Sequence, residues 1–198
     1  MRSPVPNRKA LFDVAIAGPL GGFIVTLPVL IWGLYLSQTV PIPEKENLLN
    51  FAALDPRSSF LFSVIAKIAL GHQLVPGIAL NLHPLAVAGY IGLIVTALNL
   101  MPVGQLDGGH IVHAMFGQRI GSIIGQFTRL LVLLMALVKP EFFLWAIFLF
   151  LMPIVDQPAL NDVTELDDKR DFFGLFSLAL LISIMLPLPG AIAQWLNL

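Results

Sequence analysis

The stretch Asn99-Leu100-Met101-Pro102-Val103-Gly104-Gln105-Leu106-Asp107-Gly108-Gly109-His110 gathers two amides, a carboxylate and an imidazole around two backbone breaks. Its polar groups fall at the end of an apolar run, where an ionisable residue is expensive and functional by default. A carboxylate is a hard oxygen ligand, and zinc accepts Asp beside imidazoles, so Asp107 is a candidate metal ligand. A structural reading stands beside it: Pro102 stops one helix, Asp107-Gly108-Gly109 turns the chain, and Asp107 caps the next helix. Residue chemistry alone leaves both open.

The remaining polar groups point less sharply to chemistry. The chain has four histidines, His72, His83, His110 and His113. His72 and His83 lie beside the turn signals Gly71 and Pro84 and read as loop or interface residues. Asp107, His110 and His113 follow at three-residue steps and share part of a helical face. A zinc site built from them lacks a general base, so both histidines read as hydrogen-bonding residues. Asp13 falls in a first helical turn, where the macrodipole favours a carboxylate. Lys67 is expected to snorkel, and Arg129, inside an apolar run, needs a partner that sequence does not name. Asp162-Val163-Thr164-Glu165 has the spacing of a variant capping box within a solvated charged segment. Without cysteine, disulfides and thiolate chemistry are excluded.

Composition places these residues in a membrane. Of 198 residues, 57% are hydrophobic and 12% charged, about half the charged share of a soluble domain. A net charge of -1 without basic clusters excludes nucleic acid as a partner. Spanning helices are expected over residues 11–36, 84–101, 119–138, 142–155 and 172–196, about five passes by length. Residues 60–70 are too short to cross and read as an interfacial or re-entrant helix, while Ser37 to Ser59 is a polar, turn-rich loop. A slight excess of Lys and Arg on the N-terminal side favours a cytosolic N-terminus.

Two glycine patterns bear on how the helices meet. In Ala17-Gly18-Pro19-Leu20-Gly21-Gly22, Gly18 and Gly22 are four apart and Pro19 removes a backbone donor. Such a segment packs through its small residues or lines a polar cavity with freed backbone groups. Gly117, Gly121 and Gly125 form a smooth stripe that reads as helix packing.

Taken together, Asn99 to His110 resembles the N-x-x-P-x-x-x-L-D-G-G signature of the site-2 proteases, zinc metalloproteases that cut peptide bonds within the membrane. Ala17 to Gly22 resembles that family's central-helix motif. Pro158-Ala159-Leu160-Asn161-Asp162 and Leu186-Pro187-Leu188-Pro189-Gly190 are similar to its cyanobacterial and plastid branch. The resemblance implies an all-α polytopic transmembrane helix bundle forming one membrane-embedded domain over residues 1–198. It implies Asp107 as the third protein ligand of a catalytic zinc and Asn99 near the substrate carbonyl or the tetrahedral intermediate. Gly18, Pro19, Gly21, Gly22 and Pro102 would border the substrate cleft. The expected partners are a transmembrane protein substrate and the lipid bilayer of a cyanobacterial or plastid membrane.

The family's other two ligands are the histidines of an HExxH helix, whose glutamate serves as general base. No HExxH occurs here. In the family that helix precedes the Gly-Pro-Leu helix, near which this chain opens. The resemblance therefore implies an N-terminally truncated chain, with Met1 an internal start, a fragment boundary or a wrongly assigned codon, and a complete C-terminal end. Alone, such a chain is expected to bind zinc weakly and to cleave negligibly. The competing expectation is a non-catalytic membrane protein of the same fold that binds transmembrane segments without cutting them. A carrier using the broken first helix is a third reading.

Overall fold

In the computed structural model, which describes residues 7–41, 51, 53–71, 74–75, 77–138, 142–153 and 165–196, the apolar runs fold as helices. Helix α1, Arg8–Tyr35, is unbroken through Pro19 and Pro28. Its start is capped by Asn7, whose Oδ1 accepts the Ala10 N–H at 2.9 Å. Strand β1, Gln38–Pro41, pairs antiparallel with β2, Ile78–Asn81, Gln38 lying opposite Asn81. Between them come a short 3-10 turn, Pro56–Ser58, and α2, Phe60–Leu70, capped by the Ser59 hydroxyl. Then follow α3 (Pro84–Leu100), α4 (Asp107–Phe116), α5 (Gln118–Val138), α6 (Phe143–Leu151), α7 (Asp168–Met185) and α8 (Gly190–Leu196).

The chain divides into two compact units. One comprises residues 21–97 and 180–198. Here α1 and α3 meet closely, because a Cβ on Gly89 would lie 2.6 Å from the Leu30 Cα and one on Gly33 would run into the Ala86 backbone, while one on Gly92 would lie 2.5 Å from the Thr26 hydroxyl. Leu30, Leu34 and Ala86 are fully buried at this seam. The Tyr90 ring meets Phe62 edge-on at 5.1 Å. The end of the chain is tied down where the Phe60 N–H donates to the Leu186 carbonyl and the Leu188 N–H to that of Arg57.

The other unit comprises residues 1–20 and 98–179. Arg8 is buried, and its Nε donates to the Ala114 carbonyl at 2.8 Å. That carbonyl lies in the last turn of α4, the end of a helix that favours a cation. Asp13 accepts two hydrogen bonds from Arg170 at 2.8 Å each, and Arg170 also pairs with Asp167. The dipole reading of Asp13 thus gives way to an ion pair joining the starts of α1 and α7.

Several expected boundaries shift for local reasons. The run 172–196 is two helices, α7 and α8, because Pro187 and Pro189 cannot continue the ladder. The helix expected over 142–155 ends at Leu151, just before Pro153, and the loop 37–59 contains β1. By length and apolarity, Arg8–Tyr35 and Gln118–Leu137 qualify to cross a membrane, while α2 and α3 are shorter apolar helices. Lys67 reaches the Leu74 carbonyl at 2.9 Å. The capping-box residues 162–164, the segment 158–162, Met1 and His72 lie outside the described residues.

The Asp167 contacts carry a pH dependence. The Arg170 backbone N–H, assisted by the guanidinium, holds the Asp167 carboxyl below the ordinary carboxylate range. A depressed folded-state pKa means that its stabilisation is complete above the ordinary value and lost as pH falls through the folded one. Thermal unfolding followed from neutral to acid pH should show Asp167→Asn flattening part of the acid-side loss. An unchanged profile contradicts the assignment.

Candidate metal and substrate site

The site is built around a turn between two helices. The last turn of α3 carries Asn99, which is half-buried, and the helix ends where Pro102 supplies no N–H. The next residues close tightly, with the Val103 N–H donating to Met101 and the Leu106 N–H to Val103. Gly104 takes a φ of +54°, a left-handed conformation that an L side chain rarely adopts. Around it Met101, Pro102, Val103 and Leu106 are buried, so the turn is part of a core.

Helix α4 begins at Asp107 and is set by close backbone approach. A Cβ on Gly108 would run into the Leu100 carbonyl oxygen, and one on Gly109 into that of Gly104. Only hydrogen at these positions lets α4 start against the end of α3. Gly125 of α5 brings that helix onto the turn, its Cβ direction lying 3.1 Å from the Pro102 carbonyl. Gly121 meets the His113 backbone, whereas Gly117, at a φ of +85°, forms the joint between α4 and α5. The expected glycine stripe is therefore two packing positions and one hinge-like turn.

Asp107 does not cap its helix. The N-cap position is Leu106, with no side-chain hydrogen bond to the first turn. The Asp107 carboxylate is half-buried and makes no side-chain hydrogen bond among the described residues. Burial pushes its carboxyl above the ordinary range, opposed by the charge of His110. A helix start favours negative charge there, and a cation would offset the desolvation. Its Oδ2 faces α1 at Gly18, where a Cβ would stand 3.3 Å away.

The structure thus brings Gly18 and Asp107 together on one side of the turn. Pro19 is buried next to Gly18, and Pro102 is buried behind the turn. Gly21 and Gly22, in the other unit, are exposed and have nothing within 4 Å of a built Cβ. His110 is half-buried on α4, and His113 is 1% exposed. His83 is exposed; its Nδ1 accepts the Leu85 N–H at 3.2 Å and so caps α3. Among the described residues, no three His, Cys, Asp or Glu side chains converge as a metal site. The fit to zinc is that of one suitable oxygen ligand.

Sequence reasoning missed Arg129 as part of this neighbourhood. Its Nη2 donates to the Met152 and Pro153 carbonyls at 2.8 Å each, at the end of α6. The partners are backbone atoms, so no residue type announced them. An arginine in an apolar run, with a proline closing the next helix, was the available signal.

The glycine geometry predicts opposite effects at two positions. Gly108→Ala should destabilise the folded chain by about 2 kcal/mol through overpacking, whereas Gly21→Ala should be neutral or stabilising by up to about 1 kcal/mol from helix propensity. Unfolding in detergent measures both, and equal effects at the two sites contradict the assignment.

With this geometry in place, comparison with known proteins becomes informative. The description of Peptidase family M50 matches residues 2–139. A probable chloroplastic zinc metalloprotease of Arabidopsis thaliana, EGY1, is 30% identical over 195 residues, covering 98% of this chain and 35% of that protein. The probable chloroplastic zinc metalloprotease EGY2 of Oryza sativa subsp. indica is 34% identical over 191 residues, covering 93% of this chain and 33% of its own length. A DDT domain-containing protein of Arabidopsis thaliana, PTM, is 30% identical over 151 residues, 76% of this chain and 9% of that protein. No solved structure matches. The chain spans about a third of the length of the metalloproteases it matches. The family description takes in α1 through α5, including Gly18 and the turn that carries Asp107, and the chain belongs to peptidase family M50.

Proposed function

We propose that this chain works in a zinc-dependent intramembrane endopeptidase, as one membrane-embedded domain that cleaves transmembrane substrate helices. The observation that carries the reading is the Asp107 carboxylate, half-buried at a helix start, free of any capping role and facing the bare backbone of α1 at Gly18. The match over residues 2–139, which draws on both compact units, supports treating them as one domain. The chloroplastic relatives support a plastid or cyanobacterial membrane as its place.

Each residue then has a task. Asp107 would hold zinc as an oxygen ligand, oriented by the Gly108 and Gly109 contacts. When bound, zinc supplies Lewis acidity and lowers the pKa of its water to about 7. Asn99, at the end of α3, donates from its side-chain amide to the scissile carbonyl. Gly18, exposed on α1, would offer substrate a bare backbone beside Asp107, and Pro19, buried next to it, would shape that border from behind. Gly21 and Gly22, exposed in their own unit, would border substrate with bare helix backbone, and Pro102 holds the turn that separates Asn99 from Asp107.

A second reading, a non-catalytic membrane protein that grips transmembrane segments without cutting them, draws on the lack of a converging three-ligand cluster among the described residues. One experiment separates the two. The protein is expressed from its native locus, and its membranes receive a reporter transmembrane helix containing a helix-destabilising segment. The peptidase reading expects chelator-sensitive cleavage that falls about 100-fold or more in Asp107→Ala, as loss of a metal ligand requires. Asn99→Ala should lower kcat by about 100-fold, in the range of a lost oxyanion-hole donor. Reporter capture without cleavage, unaffected by chelator, supports the non-catalytic reading.

A further inference from the structure

The Arg129 guanidinium is a buried cation beside the Asp107 turn, and the family resemblance assigns it no role. Arg129 is 7% exposed, and its Nη2 donates to two successive carbonyls, Met152 and Pro153, at 2.8 Å each. Its Nε makes no hydrogen bond among the described residues, so those two bonds are what fix the group. They place a positive charge at the C-terminal end of α6, where the unsatisfied carbonyls concentrate negative partial charge. The Pro153 carbonyl in turn abuts Gly104: a Cβ there would run into it and would lie 3.5 Å from Arg129 Nη2. Gly104 is the left-handed residue of the turn, three positions before Asp107.

We infer that Arg129 is a positioning residue for Asp107, acting through the Pro153 carbonyl that buttresses the turn at Gly104. The inference rests on the peptidase reading for its consequence, though not for its geometry. A guanidinium spans two adjacent carbonyls with one rigid donor group, and a methionine of similar length leaves both without a donor. The end of α6 then has no reason to stay against Gly104. The turn loses the wall that holds its left-handed residue, and the direction of the Asp107 carboxylate is no longer fixed. Arg129 thus does for the turn from outside what Gly108 and Gly109 do from within.

Amide hydrogen exchange on the whole protein in lipid nanodiscs tests this without zinc or substrate. The reporters are the Leu106 amide, bonded to Val103, and the His110 amide, bonded to Leu106. Reference amides are those of Leu54 and Leu80, which bond each other in an isolated bridge onto β2 of the other unit. Arg129→Met should speed exchange at Leu106 and His110 by about tenfold or more, the expected effect of leaving buried acceptors unpaired. Leu54 and Leu80 should not change. Arg129→Lys, which retains one cationic donor, should restore most of the protection, as a merely space-filling role would not allow.

Unchanged exchange at Leu106 and His110 in Arg129→Met overturns the inference and limits Arg129 to anchoring α6. So does an equal loss at Leu54 and Leu80 in both variants, which makes Arg129 a determinant of the whole fold. If the reporter helix is never cleaved yet the exchange pattern holds, the peptidase reading fails while the buttress stands. If cleavage depends on Asp107 but exchange at the turn is insensitive to Arg129, the buttress fails alone.

Discussion

Everything at the candidate site depends on backbone approaching backbone where side chains would not fit. Six residues link α3 to α4, and the carbonyls of Leu100 and Gly104 occupy the space that a Cβ on Gly108 or Gly109 would need. Close packing makes this contact all-or-nothing, since interiors tolerate little added volume. The result is a carboxylate on a rigid helix start rather than on a flexible loop. That rigidity is what a metal ligand or a substrate-facing acid needs, because a site loosened by about 1 Å loses most of its effect. The same device recurs in the other unit, where Gly89 and Gly92 bring α3 against α1.

The charged groups obey a complementary constraint. In an apolar setting a charge must find a partner, and those described here do so in different ways. Arg8 and Arg129 use carbonyls at helix C-termini, where the macrodipole favours a cation. Asp13 uses Arg170. Asp107 stands apart: burial raises its carboxyl, and among the described residues no hydrogen bond compensates. Of the two groups at this turn left short of a hydrogen bond, the Asp107 carboxylate and the Arg129 Nε, only the carboxylate is an acceptor that a cation would satisfy.

Much of this was legible in the sequence because it depends on residue type at short range. Pro102, Gly108 and Gly109 declare a helix stop and a tight restart, and the apolar runs declare α1, α3 and α5 within a few residues. The partners of the charges were not legible. Asp13 and Arg170 are 157 positions apart, and Arg129 bonds to backbone, which carries no signature. Asp107 as a helix cap was a sound expectation from type and position, and it failed because Leu106 occupies the cap position in extended conformation. The final run was drawn too long because length and apolarity passed over Pro187 and Pro189, which separate α7 from α8. Strand β1 was hidden in a loop whose prolines argued for turns.

The central claim is that the turn aims Asp107 at α1 where Gly18 lacks a side chain, and the absence of cysteine allows a direct test. The measurement is disulfide formation under mild oxidation in membranes, comparing the pair Gly18→Cys with Asp107→Cys against the pair Ala17→Cys with Asp107→Cys. A bridge needs Cβ atoms about 4 Å apart, and a Gly18 Cβ stands 3.3 Å from the Asp107 carboxylate oxygen, so the account predicts more cross-linking of the first pair than of the second, one residue around the helix. Failure of the first pair, or equal cross-linking of both, contradicts it.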